Sequence, residues 1–364
     1  MSKSSFYFHN LDCLRSIAVL MVFVTHLPFA VKGELLQAIL HQGTIGVDFF
    51  FLISGFLITT LLLREYQKCS SISLRKFYIR RTLRICPLLL LVLAIITVQT
   101  YWVSGANADY RTFFLYYATY LGNFDRIFHG TQITDQFLGS PVLWSLAVEE
   151  QFYLLAPFAV ALVVRRGKTL HLFLGAYLCT LLYKLYVIRA FTDFSLAYRT
   201  LRFSPFSAFD AISLGCILGY LTHEFPLSTR RLAAKLNLWF VTACFALLWV
   251  IAALKHLVSN IYFSTFIAGQ FCNLMFVLII LFTCFHPRGC EESDSAMVRL
   301  GNWFGKISYG VYLYHVLCIA VVGQITQDVE ILVPCSLLLT AAVSWLSFHY
   351  FEKPFLKVKR KFSV

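Results

Sequence analysis

The stretch from Gly43 to Pro87, GTIGVDFFFLISGFLITTLLLREYQKCSSISLRKFYIRRTLRICP, decides the fold. Its apolar run Ile45–Leu63 has about the ~20 residues a membrane-crossing helix needs. Asp48 lies inside that run, where an ionisable group is expensive and so is functional or paired. Arg64, Lys68, Arg75, Lys76, Arg80, Arg81 and Arg84 follow as a basic loop, which marks the cytoplasmic side. A further span begins as that loop ends. Arg80 and Arg84 are four apart and share a helix face, with Arg81 beside them. Beyond its topological role, that arrangement suits a polyanionic ligand docking at the membrane surface.

Composition agrees. The 364 residues are 59% hydrophobic and only 13% charged, against about a quarter charged in soluble domains. This is the composition of an all-α, polytopic membrane bundle. The net charge of +13 does not imply nucleic acid, because the basic residues fall mostly between apolar spans. Eleven cysteines form no CxxC pair and sit mostly within spans, so neither a disulfide framework nor a metal site is expected.

Ten spans are expected, at 16–31, 44–63, 85–103, 142–164, 169–188, 206–222, 237–254, 264–285, 307–323 and 331–351. With both termini cytoplasmic, the inner segments hold 23 of the 31 Lys and Arg and the outer loops seven; Lys184 lies within a span. The outer loop 104–141 is partly apolar and reads as an interfacial helix or a re-entrant piece. The expectation is one transmembrane domain, 1–364, with no appended soluble domain. Glu352-Lys353-Pro354 reads as the stop of the last helix.

Several polar residues lie inside these spans. His26 is eleven residues beyond Arg15, about 16 Å further across at ~1.5 Å per residue. Asp48 lies at a similar depth on the next, antiparallel helix, so it is the expected carboxylate partner of a general base at His26. Glu149 and Glu150 are adjacent and point ~100° apart; one should line a polar site and the other pair with a basic residue. Asp210 and His315 are acceptor-side candidates, His315 lining the cavity or bonding a neighbouring helix. Lys184 should neutralise an intramembrane acid. Ser54 lacks a nucleophile elbow, and its Ser-Gly pair reads as helix packing.

The segments LDCLRSIAVLMVFVTH, GVDFFFLISGFLI, RKFYIRRTLRICP, LWSLAVEEQFYLLAP, FDAISLGCILG, ISYGVYLYH and FEKPF resemble, in order, the motifs of the acyltransferase-3 membrane O-acyltransferases. The resemblance covers nearly the whole chain; Cys13 replaces a glycine common in the family. It implies an enzyme that moves an acyl group, foremost acetyl, from cytoplasmic acyl-CoA to a hydroxyl of a cell-surface carbohydrate or its lipid-linked precursor. Carried over, Arg15, His26, Arg81 and Arg84 are functional. The expected site is then His26, Asp48, Glu149 and Glu150 for catalysis, with Arg15, Arg80, Arg81 and Arg84 for acyl-CoA. Acyl-CoA enters as co-substrate, with no permanently bound cofactor. The other expected partners are the carbohydrate acceptor, membrane lipid and a polysaccharide-assembly protein; the expected location is the bacterial inner membrane. Direct transfer and a covalent acyl-enzyme both remain open. The rival reading is a transporter of a lipid-linked or anionic glycan; a third is a non-catalytic scaffold in polysaccharide assembly.

Overall fold

Backbone polar groups have no water to bond in lipid, so a chain of apolar runs satisfies them internally as helices. A computed structural model describes residues 10–28, 42–105, 109–130, 136–257, 263–286 and 296–362, and every regular element among them is helical. In chain order these are α1 (Leu11–Thr25), α2 (Ile45–Cys69), α3 (Leu74–Ser104), α4 (Tyr110–Ala118), α5 (Gly122–Phe128), α6 (Leu143–Val163), α7 (Thr169–Ala190) and α8 (Phe194–Phe203). There follow α9 (Pro205–Glu224), α10 (Pro226–Ala234), α11 (Leu238–Leu257), α12 (Gly269–Phe285), α13 (Ala296–Lys306), α14 (Ser308–Gly323), α15 (Val329–Leu346) and α16 (Lys353–Arg360).

Each of the ten expected spans coincides with a helix, but not all qualify as crossings. Among the described residues, seven helices are long and apolar enough, or up to nine if two bent pairs each count once: Pro226–Ala234 with Trp239–Ile251, and Ala296–Lys306 with Ser308–Gly323. The first expected span yields only the 15 residues of α1, and its end at 29–31 lies outside the described residues.

Two local expectations change, and a third, for the 104–141 connection, gains detail. The basic segment 64–84 is not a loop. α2 runs on to Cys69, Ser70 closes it at φ 53°, and Ser73 caps α3 three residues after Ser70, so Arg80, Arg81 and Arg84 ride on the same helix as the third span. Within the 104–141 connection the described residues form α4 and α5, and Phe113 is buried and stacks on Phe137 with centroids 4.0 Å apart. Glu352-Lys353-Pro354 does not stop the last helix. A π-helical turn over Ser347–Glu352 leads into α16, and Pro354 occupies its first turn, where a missing N–H costs nothing.

α2 is the centre of the bundle: 72% of its most apolar window is buried, against 22% for α7 and for the continuous span from α15 into α16. Its Phe51 and Ile58 join Leu88 and Val92 of α3, Val148 of α6, Ile212 of α9 and Leu313 of α14 in one core cluster. Phe49 stacks on Phe276 of α12 from the opposite side, with centroids 4.3 Å apart.

Candidate functional site

Two cavities lie along α2, one nearer each end. The first, of about 100 Å³, is lined by Arg15, Arg81, Arg84, Glu149, Ser54 and Tyr153 among others. The second, of about 380 Å³, is lined by His26, Arg126, Arg199, Arg202, Trp144 and Tyr198 among others. Val47 and Tyr312 line both, and so stand between them. Tyr312 is held there by its hydroxyl, which donates to the Val142 carbonyl (3.0 Å) and meets Ser145 Oγ (2.6 Å).

At the arginine end, three guanidinium groups face one lining carboxylate, Glu149. Arg15 pairs with Asp12 at 2.9 Å. The Arg81 guanidinium lies over the Tyr153 ring, 4.9 Å from its centroid, and over Phe77 at 5.6 Å. Among the described residues no ion pair takes up Arg81 or Arg84, which leaves both forks available to an anion. α16 adds Lys359 within electrostatic range of Arg84, Arg81 and Arg15. Ser54 Oγ donates to Glu149 Oε1 and accepts from the Tyr153 hydroxyl at 3.0 Å. A hydroxyl thus bonded to a carboxylate is the elementary pairing of nucleophile and base.

Arg80 is not part of this cavity. It pairs with Glu65 at 3.0 Å and donates to the Phe362 carbonyl at 2.9 Å, while Glu65 also accepts from the Ser73 N–H at 2.8 Å. Arg80 therefore clasps the α2–α3 corner to the C-terminal segment. The expectation that it holds phosphate gives way to this structural role, because its donors are already engaged.

At the histidine end, His26 does not meet Asp48. Asp48 pairs with Arg202 at 3.2 Å, and Arg202 also donates to the Thr44 carbonyl at 3.1 Å. His26 Nδ1 lies 2.9 Å from the Val22 carbonyl and 3.2 Å from Nε2 of the fully buried His315. The protons can be assigned by elimination. His315 Nδ1 faces two carbonyls, Tyr312 at 2.8 Å and Val311 at 3.2 Å, and carbonyls only accept. His315 is thus protonated on Nδ1 and accepts on Nε2. His26 then carries its proton on Nδ1 toward His315 and Val22, which leaves His26 Nε2 with a lone pair, the tautomer a base requires. A neutral imidazole fills the orienting place expected of a carboxylate.

The remaining candidates sit elsewhere. Asp210 lines neither cavity; it pairs with Lys184 of α7, and Gln270 Nε2 donates to it at 2.6 Å. The expectation for Lys184 holds, and Asp210 is engaged in tying α7, α9 and the helix of Gln270 together. Glu149 lines the arginine-end cavity, but Glu150 takes no ion pair among the described residues, and its Oε1 is buried without a hydrogen-bond partner. In the α4–α5 segment, Asp125 accepts from the Tyr117 hydroxyl (2.8 Å) and contacts His129 Nδ1 (3.1 Å); burial pushes its carboxyl above its ordinary pKa.

Sequence reading missed Lys359, Tyr312 and the trio Arg126, Arg199 and Arg202. The trio carried a signal: three of the seven outer Lys and Arg, set against the general bias of the chain.

The family model described as an acyltransferase domain matches residues 8–349. The peptidoglycan O-acetyltransferase OatA of Listeria monocytogenes is 29% identical over 374 residues, which span 96% of this chain and 56% of that protein. The O-acetyltransferase OatA of Staphylococcus aureus is 29% identical over 366 residues, 96% of this chain and 57% of that protein. The chain thus spans a little over half the length of these curated relatives. No solved structure matches.

Proposed function

The chain belongs to the acyltransferase-3 family, and from that premise we propose that it moves an acyl group, foremost acetyl, from acyl-CoA to a carbohydrate hydroxyl across the membrane. The donor binds at the arginine end, from the cytoplasm. The acceptor, a hydroxyl of peptidoglycan or of another cell-surface glycan or its lipid-linked precursor, binds at the histidine end. The observation that carries this reading is the pair of cavities, one arginine-lined and one histidine-lined, that share Val47 and Tyr312 as a common wall.

The chemistry follows from the residues. Arg15, Arg81 and Arg84, helped by Lys359, hold the donor phosphates by charge-assisted bonds. The acyl end reaches inward to the Tyr312 wall. There His26 Nε2 takes the proton of the acceptor hydroxyl, its oxygen attacks the thioester carbonyl, and the C–S bond breaks to release CoA thiolate, which takes up a proton. Ser54 with Glu149 supports a variant in which the acyl group rests first on Ser54 Oγ. The transporter alternative has no observation in its favour.

The test is acyl-CoA binding to purified protein in lipid nanodiscs, beside acyl transfer to peptidoglycan fragments. Arg81→Ala and Arg84→Ala should each weaken donor binding about tenfold or more, the worth of a hydrogen bond to a charged group. Lysine should restore little, since it lacks the planar fork. If both alanine variants bind acyl-CoA like the parent, the arginine cavity is not the donor site.

A further inference from the structure

We propose that Tyr198 and Phe194 on α8 form a stacking subsite for further sugar rings, so that the acceptor is an extended glycan chain rather than a single sugar. The proposal rests on the acceptor side assigned above and narrows its substrate class.

Placement on the helix is the first ground. Asp193 caps α8 by accepting the Ser195 N–H at 2.8 Å, and Ala197 and Thr200 are buried beneath it. Arg202, Tyr198 and Phe194 stand four residues apart and so share one face. That face leads outward from the histidine-end cavity. The Arg202 guanidinium lies over the Trp144 ring in the cavity wall, 5.0 Å from its centroid. Tyr198 lines the cavity yet is 55% exposed, and Phe194, one turn further, is 62% exposed.

Depth is the second. The 20 residues of α9 rise about 30 Å, enough to cross the hydrocarbon core unaided. α8 adds ten residues at the histidine end of the same candidate span, Phe194–Glu224. It therefore stands in the headgroup layer or beyond it, where a glycan in water reaches it and lipid tails do not.

Unused ring surface is the third. The other rings of the lining are engaged: Trp144 meets Phe203 edge to face at 4.9 Å and carries Arg202, and the Tyr312 hydroxyl bonds Val142 and Ser145. Among the described residues, Tyr198 and Phe194 pack against no other ring and no cation, and the Tyr198 hydroxyl makes no hydrogen bond. A planar ring with a free face matches the apolar C–H face of a pyranose, and a phenol adds a donor and acceptor for sugar hydroxyls. The two anchors lie one turn apart, about 6 Å at ~1.5 Å per residue, a step comparable with that from ring to ring along a glycan. A chain docked on both would be held in register, so that one hydroxyl of its leading sugar, rather than any, reaches His26.

The experiment is equilibrium binding of a length series to the full chain in nanodiscs, with N-acetylglucosamine and its β-1,4-linked dimer, trimer and tetramer as probes. Affinity should rise about tenfold or more from monomer to trimer, the equivalent of roughly 1.4 kcal/mol. Phe194→Leu and Tyr198→Leu keep apolar bulk but lose the plane, so each should remove most of that rise, whereas Phe194→Trp should keep it. All three should retain the parental thermal midpoint, which reports folding. Equal affinity at every length would overturn the subsite and leave the acceptor reading in place. A rise that survives both leucine variants would also overturn it and leave the two rings as anchors in the outer headgroup layer. If no sugar of any length binds while acyl-CoA does, the acceptor reading and the subsite fall together. If longer sugars are preferred but acyl-CoA does not bind, the subsite stands and the donor assignment falls.

Discussion

A sugar hydroxyl is a weak nucleophile until a base takes its proton, and general-base assistance is worth ~10²–10⁴-fold. His26→Ala should therefore lower transfer by about that factor, while acyl-CoA still binds through arginines at the far end of α1. Near-parental transfer by this variant would remove His26 as the base. His315 touches no reacting group in this scheme and acts by fixing the His26 tautomer. His315→Ala should lower kcat with the KM for acyl-CoA unchanged, and His315→Gln, which restores an acceptor, should recover part of the loss; an unchanged kcat would make His315 a packing residue only. His26 was legible from its position in an apolar run. Its partner was not, because residue counting gives depth along a helix but not the direction a side chain takes around it. Asp48, expected at the depth of His26, turns to Arg202, 154 residues away, and His315 stands 289 residues from His26. Contacts at such separations follow from the packing of whole helices, which no local pattern encodes.

α2 and α9 meet more closely than side chains would allow. A Cβ on Gly55 would lie 2.1 Å from the Ile212 carbonyl oxygen, and one on Gly215 would lie 2.1 Å from that of Leu52. Small residues let membrane helices approach in this way, and Gly215 with Gly219 forms the four-residue spacing that does so. Gly215→Ala should therefore force the backbones apart and cost about 1–3 kcal/mol. A methyl added at Gly175 of α7 would meet nothing within 4 Å, so Gly175→Ala should be neutral or stabilise by up to about 1 kcal/mol. Thermal unfolding of the purified variants in detergent checks the pair; a lower midpoint for Gly175→Ala than for Gly215→Ala would contradict the packing argument. The Ser54-Gly55 pair shows how far an element can be read in advance. Its glycine does the packing that the sequence suggests, whereas its serine belongs to the polar site. One residue faces α9 and the other Glu149 of α6, a division set by the ~100° turn between neighbours on a helix.

At the scale of the molecule, the helical class and the position of each apolar run were legible because bilayer thickness acts on sequence directly. The count of crossings was less so: α1 stops at 15 residues, and α13 bends by 76° into α14, choices made by packing rather than hydropathy. The two cavities could not be read at all, since each draws its lining from helices far apart in the chain. Their separation has a functional consequence. An activated thioester must meet the acceptor hydroxyl but not outside water, and a site that excludes water suppresses hydrolysis. Val47 and Tyr312 form the common wall, and Tyr312 is the member that can both block and swing, since among the described residues its hydroxyl is fixed by hydrogen bonds to Val142 and Ser145. Tyr312→Ala should merge the cavities, so that acyl-CoA is hydrolysed without any acceptor while transfer to glycan falls. Tyr312→Phe keeps the ring and loses the two hydrogen bonds, so its hydrolysis should lie between parent and alanine. The measurement is CoA release with and without acceptor on the same nanodisc preparations. If Tyr312→Ala releases no more CoA than the parent in the absence of acceptor, the wall is not what keeps water from the thioester, and the two cavities must be coupled by a wider rearrangement of α14 against α6.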